Sequence, residues 1–334
     1  MDDIQDLRKR LERGNTRSII VPHISADGDA VGACSALYGV LTKAGIKCDI
    51  ICPDNFPEYL MWLPNADKAI PFRRNMSLCK QLIQEADIVF MLDHNNFNRE
   101  GEMGKLVEVS YTDKIIIDHH PEPIDAEYLF SDTSVSSTCE LLFTLINQVW
   151  GKEMIDTDIA NAIYTGINTD TGGFSHNSSN PQTYRIVAEL LEAGLEKDYV
   201  YEKIYQNNTL SRLRLLGHAL LQRLHIHPDF PVAIIPITFQ EMEDFDYKEG
   251  DLEGLVNIPL SIAYVQVAVL ITQRKEQVKL SFRSKGEIPV NTWAAEYFNG
   301  GGHFNAAGGQ MQLSFEEVVE KVYKTADFLF PSKH

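Results

Sequence analysis

A short stretch near position 118 constrains the fold more than any other part of the sequence. The run from Ile115 to Ile117 is apolar and β-branched, which is typical of a strand buried on both faces of a parallel sheet. Asp118, His119 and His120 follow where that strand is predicted to end. Because ligands bind at the carboxyl ends of strands in open α/β sheets, this triplet indicates a functional site rather than packing.

The same alternation runs through the whole N-terminal half. Strands that alternate with helical segments predict a doubly wound, mainly parallel sheet of the α/β class. Apolar runs predict further strands at 17–23, 48–52 and 87–92, and helical periodicity predicts helices at 4–13, 30–44, 141–150 and 158–168.

The C-terminal half has a different order of predicted strands and helices, which indicates a smaller α/β domain with a mixed sheet. A turn bracketed by Pro228 and Pro231 marks the boundary. We therefore expect a catalytic domain at 1–195, a helical linker at 196–228 and a substrate-binding domain at 229–334. We expect the active site in the cleft between the domains. The elements predicted here are strands at 232–237, 261–272 and 278–283, and helices at 181–193, 197–223, 250–257, 291–299 and 314–330.

Length and charge limit the classes of function. At 334 residues the chain exceeds the usual size of one core, so two domains are expected. The net charge of −17 disfavours an extended basic surface for long nucleic acid, although bound cations can still attract a phosphate substrate. Five cysteines without a CxxC pair, a charged start and no apolar run near ~18 residues predict a cytoplasmic protein that does not contact a membrane.

Acidic residues gather where predicted strands and helices end. His23, Asp27 and Asp29 follow the first strand, Asp93 follows a later strand, and Asp170 follows a helix. Each residue alone also suits a turn or a helix cap. Together they suit Mn²⁺ and, less selectively, Mg²⁺, Fe²⁺, Co²⁺ or Zn²⁺. The number of ligands exceeds the need of one ion, so we predict two ions about 3.5–4 Å apart that share a carboxylate and a bridging hydroxide.

A second group of residues in the C-terminal half could bind an anion. Ser281 and Arg283 alternate along a predicted strand and therefore share one face, although a solvated edge strand would show the same pattern. The glycine-rich run from Gly300 to His303 allows backbone N–H groups to approach an anion closely. Together the strand and the loop predict a phosphate clamp.

These motifs resemble the DHH phosphoesterase superfamily over nearly the whole chain. HISADGDAVGA at 23–33, LDHN at 92–95, IDHH at 117–120 and NTDTGGF at 168–174 are similar to its four metal motifs, in order. SFRS at 281–284 and GGGHFNAAGG at 300–309 are similar to the DHH-associated C-terminal domain. The branch with the greatest resemblance is the NrnA type, which comprises bifunctional oligoribonucleases and 3′-phosphoadenosine-5′-phosphate phosphatases.

The resemblance implies a ligand set for two Mn²⁺ ions, with Mg²⁺ or Co²⁺ as substitutes. Asp93 would bridge the two ions. One ion would be held by His23, Asp27 and Asp93, and the other by Asp29, Asp93, His119 and Asp170.

The resemblance also implies roles in catalysis, assigned to Asp93, His119 and His120. Asp118 would orient His119 through its other ring nitrogen, and His120 would contact the scissile phosphate and protonate the leaving oxygen. The implied substrate-binding residues are His120, Arg283, Gly301, Gly302 and His303.

The substrates implied are short single-stranded RNA, from di- to pentanucleotides, or a nucleoside bisphosphate, and a homodimer is left open. An exopolyphosphatase or pyrophosphatase is the alternative within enzymes, because that branch shares the N-terminal motifs. A non-catalytic nucleotide-binding sensor is the alternative outside enzymes, and the intact ligand set argues against it.

Overall fold

The computed structural model describes residues 2–121 and 123–330 and divides the chain into two compact units. The first unit ends at Asn207 and the second begins at Asn208. This division falls inside the segment 196–228 that the sequence predicts as a linker. None of the described helices is long and apolar enough to cross a membrane.

The first unit is built on a parallel sheet, which confirms the predicted α/β class. Its six strands are β1 (Arg17–Pro22), β2 (Lys47–Cys52), β3 (Ile70–Pro71), β4 (Ile88–Leu92), β5 (Asp113–Asp118) and β6 (Tyr128–Ser131). They lie in the order β3-β2-β1-β4-β5-β6, and every neighbouring pair is parallel. The short strands β3 and β6 are not predicted from the sequence, because neither has a long apolar run.

Helices cover both faces of this sheet. Along β1, Ile20 packs into one core cluster while Ile19 and Val21 pack into the other, because successive strand residues point to opposite faces. The helices of the first unit are α1 (Asp2–Leu11), α2 (Gly28–Lys43), α3 (Met76–Glu85), α4 (Glu102–Glu108), α5 (Thr138–Val149), α6 (Thr157–Asp170), α7 (Pro181–Glu192) and α8 (Lys197–Tyr205).

The strand order reverses direction between β1 and β4, which lie side by side at the centre of the sheet. In an open α/β sheet, such a reversal opens a crevice at the carboxyl ends of the two central strands. His23 follows β1 and Asp93 follows β4. The topology therefore brings two of the predicted metal ligands to the same edge of the sheet.

The second unit contains a mixed sheet, as predicted. Its order is β11-β12-β10-β9-β8-β7; β8 and β9 are parallel and the other pairs are antiparallel. The strands are β7 (His225–Ile226), β8 (Val232–Ile237), β9 (Val267–Gln273), β10 (Val278–Ser284), β11 (Gly301–His303) and β12 (Ala306–Met311), and the helices are α9 (Leu210–His218), α10 (Phe239–Asp244), α11 (Val290–Phe298) and α12 (Phe315–Thr325).

Several predicted elements of the later chain differ from the structure, including the helix predicted at 314–330, which ends at Thr325. The helix predicted at 197–223 is interrupted between α8 and α9, where Thr209 caps a new helix by accepting a hydrogen bond from the Arg212 N–H. The helix at 250–257 is absent from the described structure, since Gly254 adopts the left-handed conformation and a 3₁₀ turn follows. The strand predicted from 261 begins only at Val267, because that turn continues to Ser261 with Pro259 inside it.

The glycine-rich run is a β-hairpin rather than a loop. Gly301 to His303 pair with Ala306 to Gly308 in antiparallel register. A Cβ at Gly300 would lie 1.9 Å from the Gly308 carbonyl oxygen, so this glycine is required by the close approach of the two strands.

Candidate metal centre

Asp93 occupies the centre of the site. It lies directly after β4, is 2% exposed, and donates its backbone N–H to the Ile117 carbonyl oxygen at 3.1 Å. Its φ of +61° places a non-glycine residue in the left-handed region. Such strained backbone persists only where surrounding contacts enforce it, and it concentrates at functional sites.

One side of Asp93 faces His23. The Nε2 atom of His23 lies 3.3 Å from Oδ2 of Asp93 and 3.9 Å from Oδ1 of Asp27. The other ring nitrogen, Nδ1, lies 2.8 Å from the Ile24 carbonyl oxygen and is placed to donate to it. This contact directs Nε2 toward the two carboxylates, which is the usual way a metal-binding histidine is oriented.

The other side of Asp93 faces His119. The Nε2 atom of His119 lies 3.6 Å from Oδ1 of Asp93, 3.5 Å from Oδ2 of Asp170 and 4.0 Å from Oδ2 of Asp29. The structure therefore brings together two candidate ligand groups on either side of Asp93: His23, Asp27 and Asp93 form one, and Asp29, Asp93 and His119 form the other. A third candidate group joins Asp93 to Asp118 and His120.

The first turn of α5 holds two of these carboxylates. The backbone N–H groups of Thr138 and Cys139 donate to Asp29 at 2.7 and 2.9 Å, where a helix N-terminus favours negative charge. The Thr138 hydroxyl donates to Oδ1 of Asp93 at 2.9 Å. The sequence predicts a helix at 141–150 but gives no signal that Thr138 contacts the site, because its partners Asp93 and Asp29 are 45 and 109 positions away in the sequence.

Buried polar contacts fix the start of α5. Glu140 is 1% exposed, and its Oε2 accepts hydrogen bonds from the Ser136 hydroxyl at 2.5 Å and the Thr183 hydroxyl at 2.9 Å. Ser137 caps the helix by accepting from the Glu140 N–H at 3.1 Å. These contacts hold the residues that contact Asp29 and Asp93 in one arrangement.

Small residues allow α2 and α6 to pack closely. A Cβ at Gly166 would lie 2.5 Å from Oδ1 of Asp29 and 2.3 Å from Sγ of Cys139. A Cβ at Gly28 would lie 2.3 Å from the Thr169 hydroxyl. Both glycines are therefore needed for Asp29, near the start of α2, to approach Asp170 at the end of α6.

Within the triplet Asp118-His119-His120, His119 faces Asp93 and Asp118 contacts His120. Oδ1 of Asp118 lies 2.6 Å from Nδ1 of His120, and its Oδ2 accepts the His120 backbone N–H at 3.1 Å. The family resemblance implies that Asp118 orients His119; in the structure this carboxylate contacts His120. The reason is local, since the carboxylate curls back over the turn that follows β5.

Burial and neighbouring charges shift the pKa values of three residues in the site. Burial raises the pKa of Asp29 well above its usual range, and the negative charges of Asp93 and Asp170 raise it further. Burial opposes ionisation of Asp93 too, but the hydrogen bond from His23 and the nearby histidines hold its pKa well below the usual range. For His23, burial favours the neutral form, yet the hydrogen bond with Asp93 and the charges of Asp27 and Asp93 raise its pKa to about 9.

These residues fit a divalent metal pair. Carboxylate oxygens and imidazole nitrogens are ligands that Mn²⁺ and similar ions accept. Divalent cations would offset the repulsion among these crowded carboxylates, and the Nε2 atoms of His23 and His119 both point at them.

Two of the predicted clamp residues lie on one face of the sheet in the second unit. In the sheet register, Arg283 on β10 and His303 on β11 both lie opposite Ala306 of the intervening strand β12. Residues directly opposite one another in antiparallel strands share a face, so both side chains start from one face of this sheet. A Cβ at Gly302 would lie 2.6 Å from the Ala306 carbonyl oxygen, whereas space beside Gly301 is open.

Comparison with known proteins gives matches over both units. The DHH family N-terminal domain matches residues 17–167, and the DHHA1 domain matches residues 231–330. A protein of Thermus thermophilus named bifunctional oligoribonuclease and PAP phosphatase NrnA is 29% identical over 91% of this chain and 87% of its own length. A protein of the same name from Bacillus subtilis is 25% identical over 90% of each chain.

A solved structure is similar over the full chain. The crystal structure of an exopolyphosphatase-related protein from Bacteroides fragilis is 40% identical, with a TM-score of 0.92 over 98% of each chain. The chain belongs to the DHH family, with an N-terminal DHH domain followed by a DHHA1 domain, and this membership indicates a hydrolase that acts on phosphoric esters.

Proposed function

We propose that this protein is a metal-dependent phosphoesterase that releases mononucleotides from short oligoribonucleotides and removes a phosphate from 3′-phosphoadenosine-5′-phosphate. The position of Asp93 between His23 and His119 carries this proposal, because it gives two adjacent ligand groups a shared carboxylate. The relatives named NrnA, which match about nine tenths of the chain, support the choice of substrate class.

The ligand assignment follows from the two groups around Asp93. We assign His23, Asp27 and Asp93 to one divalent ion, and Asp29, Asp93, His119 and Asp170 to the other. Mn²⁺ is the ion we propose, with Mg²⁺ or Co²⁺ as substitutes. When bound, such a pair supplies Lewis acidity at the phosphate and lowers the pKa of the attacking water.

His120 is assigned to proton transfer. Asp118 contacts Nδ1 of His120, which fixes the orientation of the ring. Nε2 is then the nitrogen that we assign to the leaving oxygen of the substrate, as a general acid. Asp118 acts through this histidine and is a positioning residue.

We assign phosphate binding in the second unit to Arg283 and His303, which share one face of its sheet, together with the backbone of Gly301 and Gly302. A few convergent cations, rather than a long basic groove, suit a protein with a net charge of −17. The same reasoning favours short RNA over long nucleic acid.

A panel of substrates tests the proposal. Purified protein with Mn²⁺ is given di- to pentaribonucleotides, a long single-stranded RNA, 3′-phosphoadenosine-5′-phosphate and polyphosphate, and products are separated by chromatography. We expect mononucleotides from the short RNAs and AMP from the bisphosphate, with little product from the long RNA. Addition of EDTA should stop the reaction, and excess Mn²⁺ should restore it.

One observation favours a second function. The similar structure from Bacteroides fragilis is named as exopolyphosphatase-related. Release of phosphate from polyphosphate, without release of mononucleotides, would favour this second function over the first. Binding of short RNA by the metal-loaded protein without any hydrolysis would instead favour a nucleotide sensor.

A further inference from the structure

Arg99 lies beside the metal centre and has no part in the functions assigned above. It belongs to a 3₁₀ turn, Phe97–Glu100, that follows Asp93 by a few residues. Its backbone carbonyl oxygen accepts the Ile24 N–H at 2.6 Å. This hydrogen bond fixes the turn against the loop that carries His23 and Asp27.

Glu100, the next residue, holds the 3₁₀ turn in place through a buried contact with His94. Glu100 is fully buried, and its Oε1 lies 2.8 Å from Nε2 of His94. The other ring nitrogen of His94 lies 2.8 Å from the Leu92 carbonyl oxygen at the end of β4. Arg99 therefore extends from a backbone that is held on two sides, which restricts where its guanidinium group can lie.

Arg99 is a half-buried residue whose side chain has no partner among the described residues. Two arginines in the described part of the first unit are half-buried, Arg10 and Arg99. Arg10 pairs with Asp113 at 2.5 Å, whereas Arg99 forms no ion pair and no side-chain hydrogen bond with any described residue. The guanidinium donors of this arginine are therefore not used by the described protein groups and are available to a ligand.

The position of this charge is suited to an anion. Arg99 lies next to the loop of His23, because its carbonyl oxygen accepts the N–H of Ile24, the residue that follows His23. Four aspartates and two divalent ions would leave the centre close to neutral, so a bound phosphate needs an additional cation. A guanidinium group provides paired donors that match the oxygens of a phosphate.

We propose that Arg99 binds a non-bridging phosphate oxygen of the substrate at the His23 side of the metal centre. The inference rests on the proposed function for its substrate, a phosphate ester. It adds a phosphate-binding cation from the first unit to the residues expected in the second.

Binding experiments test this role apart from turnover. The Mn²⁺-loaded protein is titrated with inorganic phosphate, AMP and adenosine, for the wild type, Arg99→Ala and Arg99→Lys. Arg73→Ala is the matched control, because Arg73 is exposed and lies in a different turn. We expect Arg99→Ala to weaken phosphate and AMP binding about tenfold or more, the usual scale for a lost charge-assisted hydrogen bond. Mn²⁺ affinity and adenosine binding should not change, and Arg99→Lys should recover part of the loss.

Several results would overturn the inference. These are Arg99→Ala binding phosphate and AMP within twofold of the wild type, an equal loss of Mn²⁺ affinity, or a wild type that binds neither anion. If the alanine variant does not fold, Arg99→Gln is measured under the same criteria. If the wild type hydrolyses none of the proposed substrates but its phosphate binding depends on Arg99, the proposed function fails and this inference stands.

Discussion

The hydroxyl of Thr138 donates a hydrogen bond of 2.9 Å to Oδ1 of Asp93, the carboxylate at the centre of the site. The backbone N–H of the same threonine donates to Asp29 at 2.7 Å. One residue at the start of α5 thus contacts a carboxylate from each of two separate segments. It fixes the spacing of two acids that would otherwise repel one another.

Replacement of Thr138 by valine keeps the shape of the side chain and removes the hydroxyl. We expect Mn²⁺ affinity to fall about 10–100-fold, the usual effect of losing a group that orients a metal ligand. Mn²⁺ titration followed by electron paramagnetic resonance measures this directly.

Two further variants control for packing in α5. Thr138→Ser retains the hydroxyl and should restore most of the affinity. Thr144→Val removes a hydroxyl that bonds to a backbone carbonyl in the same helix and should leave metal binding unchanged. If Thr138→Val binds Mn²⁺ as the wild type does, Thr138 has no role in metal binding.

The sequence predicts the candidate metal ligands better than it predicts the residues that position those ligands. His23, Asp27, Asp29 and His119 all follow or begin elements whose ends converge, so their position can be derived from the strand pattern. Thr138 cannot be found this way, because a threonine at a helix start is equally expected as ordinary capping.

Gly166 is predicted to be intolerant of a side chain. Alanine there would place a Cβ 2.5 Å from Oδ1 of Asp29 and 2.3 Å from Sγ of Cys139, forcing α2, α5 and α6 apart. We expect a loss of about 1–3 kcal/mol in the free energy of unfolding, with weaker metal binding. Chemical denaturation and Mn²⁺ titration measure the two effects.

Gly217 provides the matched control, because it lies in α9 and a Cβ at this position would have no neighbouring atom within 4 Å. Gly217→Ala should leave metal binding unchanged and raise the free energy of unfolding by about 0.5–1 kcal/mol. Equal behaviour of the two alanine variants would contradict the importance of the α2–α6 approach.

Glu241 should make the second unit sensitive to acid. Burial opposes its ionisation, but hydrogen bonds from His218, Thr238 and Arg223 lower its pKa from the ordinary 4.5 to about 2. Because the folded pKa is the lower one, this carboxylate stabilises the fold fully above about pH 4.5, and the contribution is lost as the pH falls toward about 2.

Urea denaturation at a series of pH values tests this, with Trp62 and Trp150 replaced by Phe so that the fluorescence reports Trp293 of the second unit. Glu241→Gln should be less stable than the wild type at neutral pH, and the difference should shrink between pH 4.5 and about 2. Glu243→Gln, at an exposed position of the same helix, should follow the wild-type curve. A constant difference across this range would rule out the titration of Glu241 as its cause.

The sequence predicts the elements that have strong hydrophobic periodicity. It does not predict elements whose conformation depends on turns and long-range contacts. The strands before His23 and Asp93 are long apolar runs, and the structure has them as central strands. The glycine-rich run from Gly300 to Gly302 is typical of a loop because glycine is rare in strands, yet the close approach of β12 requires glycine at 300 and 302. Such long-range contacts leave no local signal.

The count of divalent ions bound to Asp93→Ala, measured beside its turnover of a diribonucleotide, tests the central claim most directly. Because Asp93 belongs to both ligand groups, the wild type should bind two Mn²⁺ per chain, as expected for a two-metal site, and the variant should bind at most one and lose hydrolysis. A folded Asp93→Ala protein that binds two ions and turns over near the wild-type rate would contradict the account.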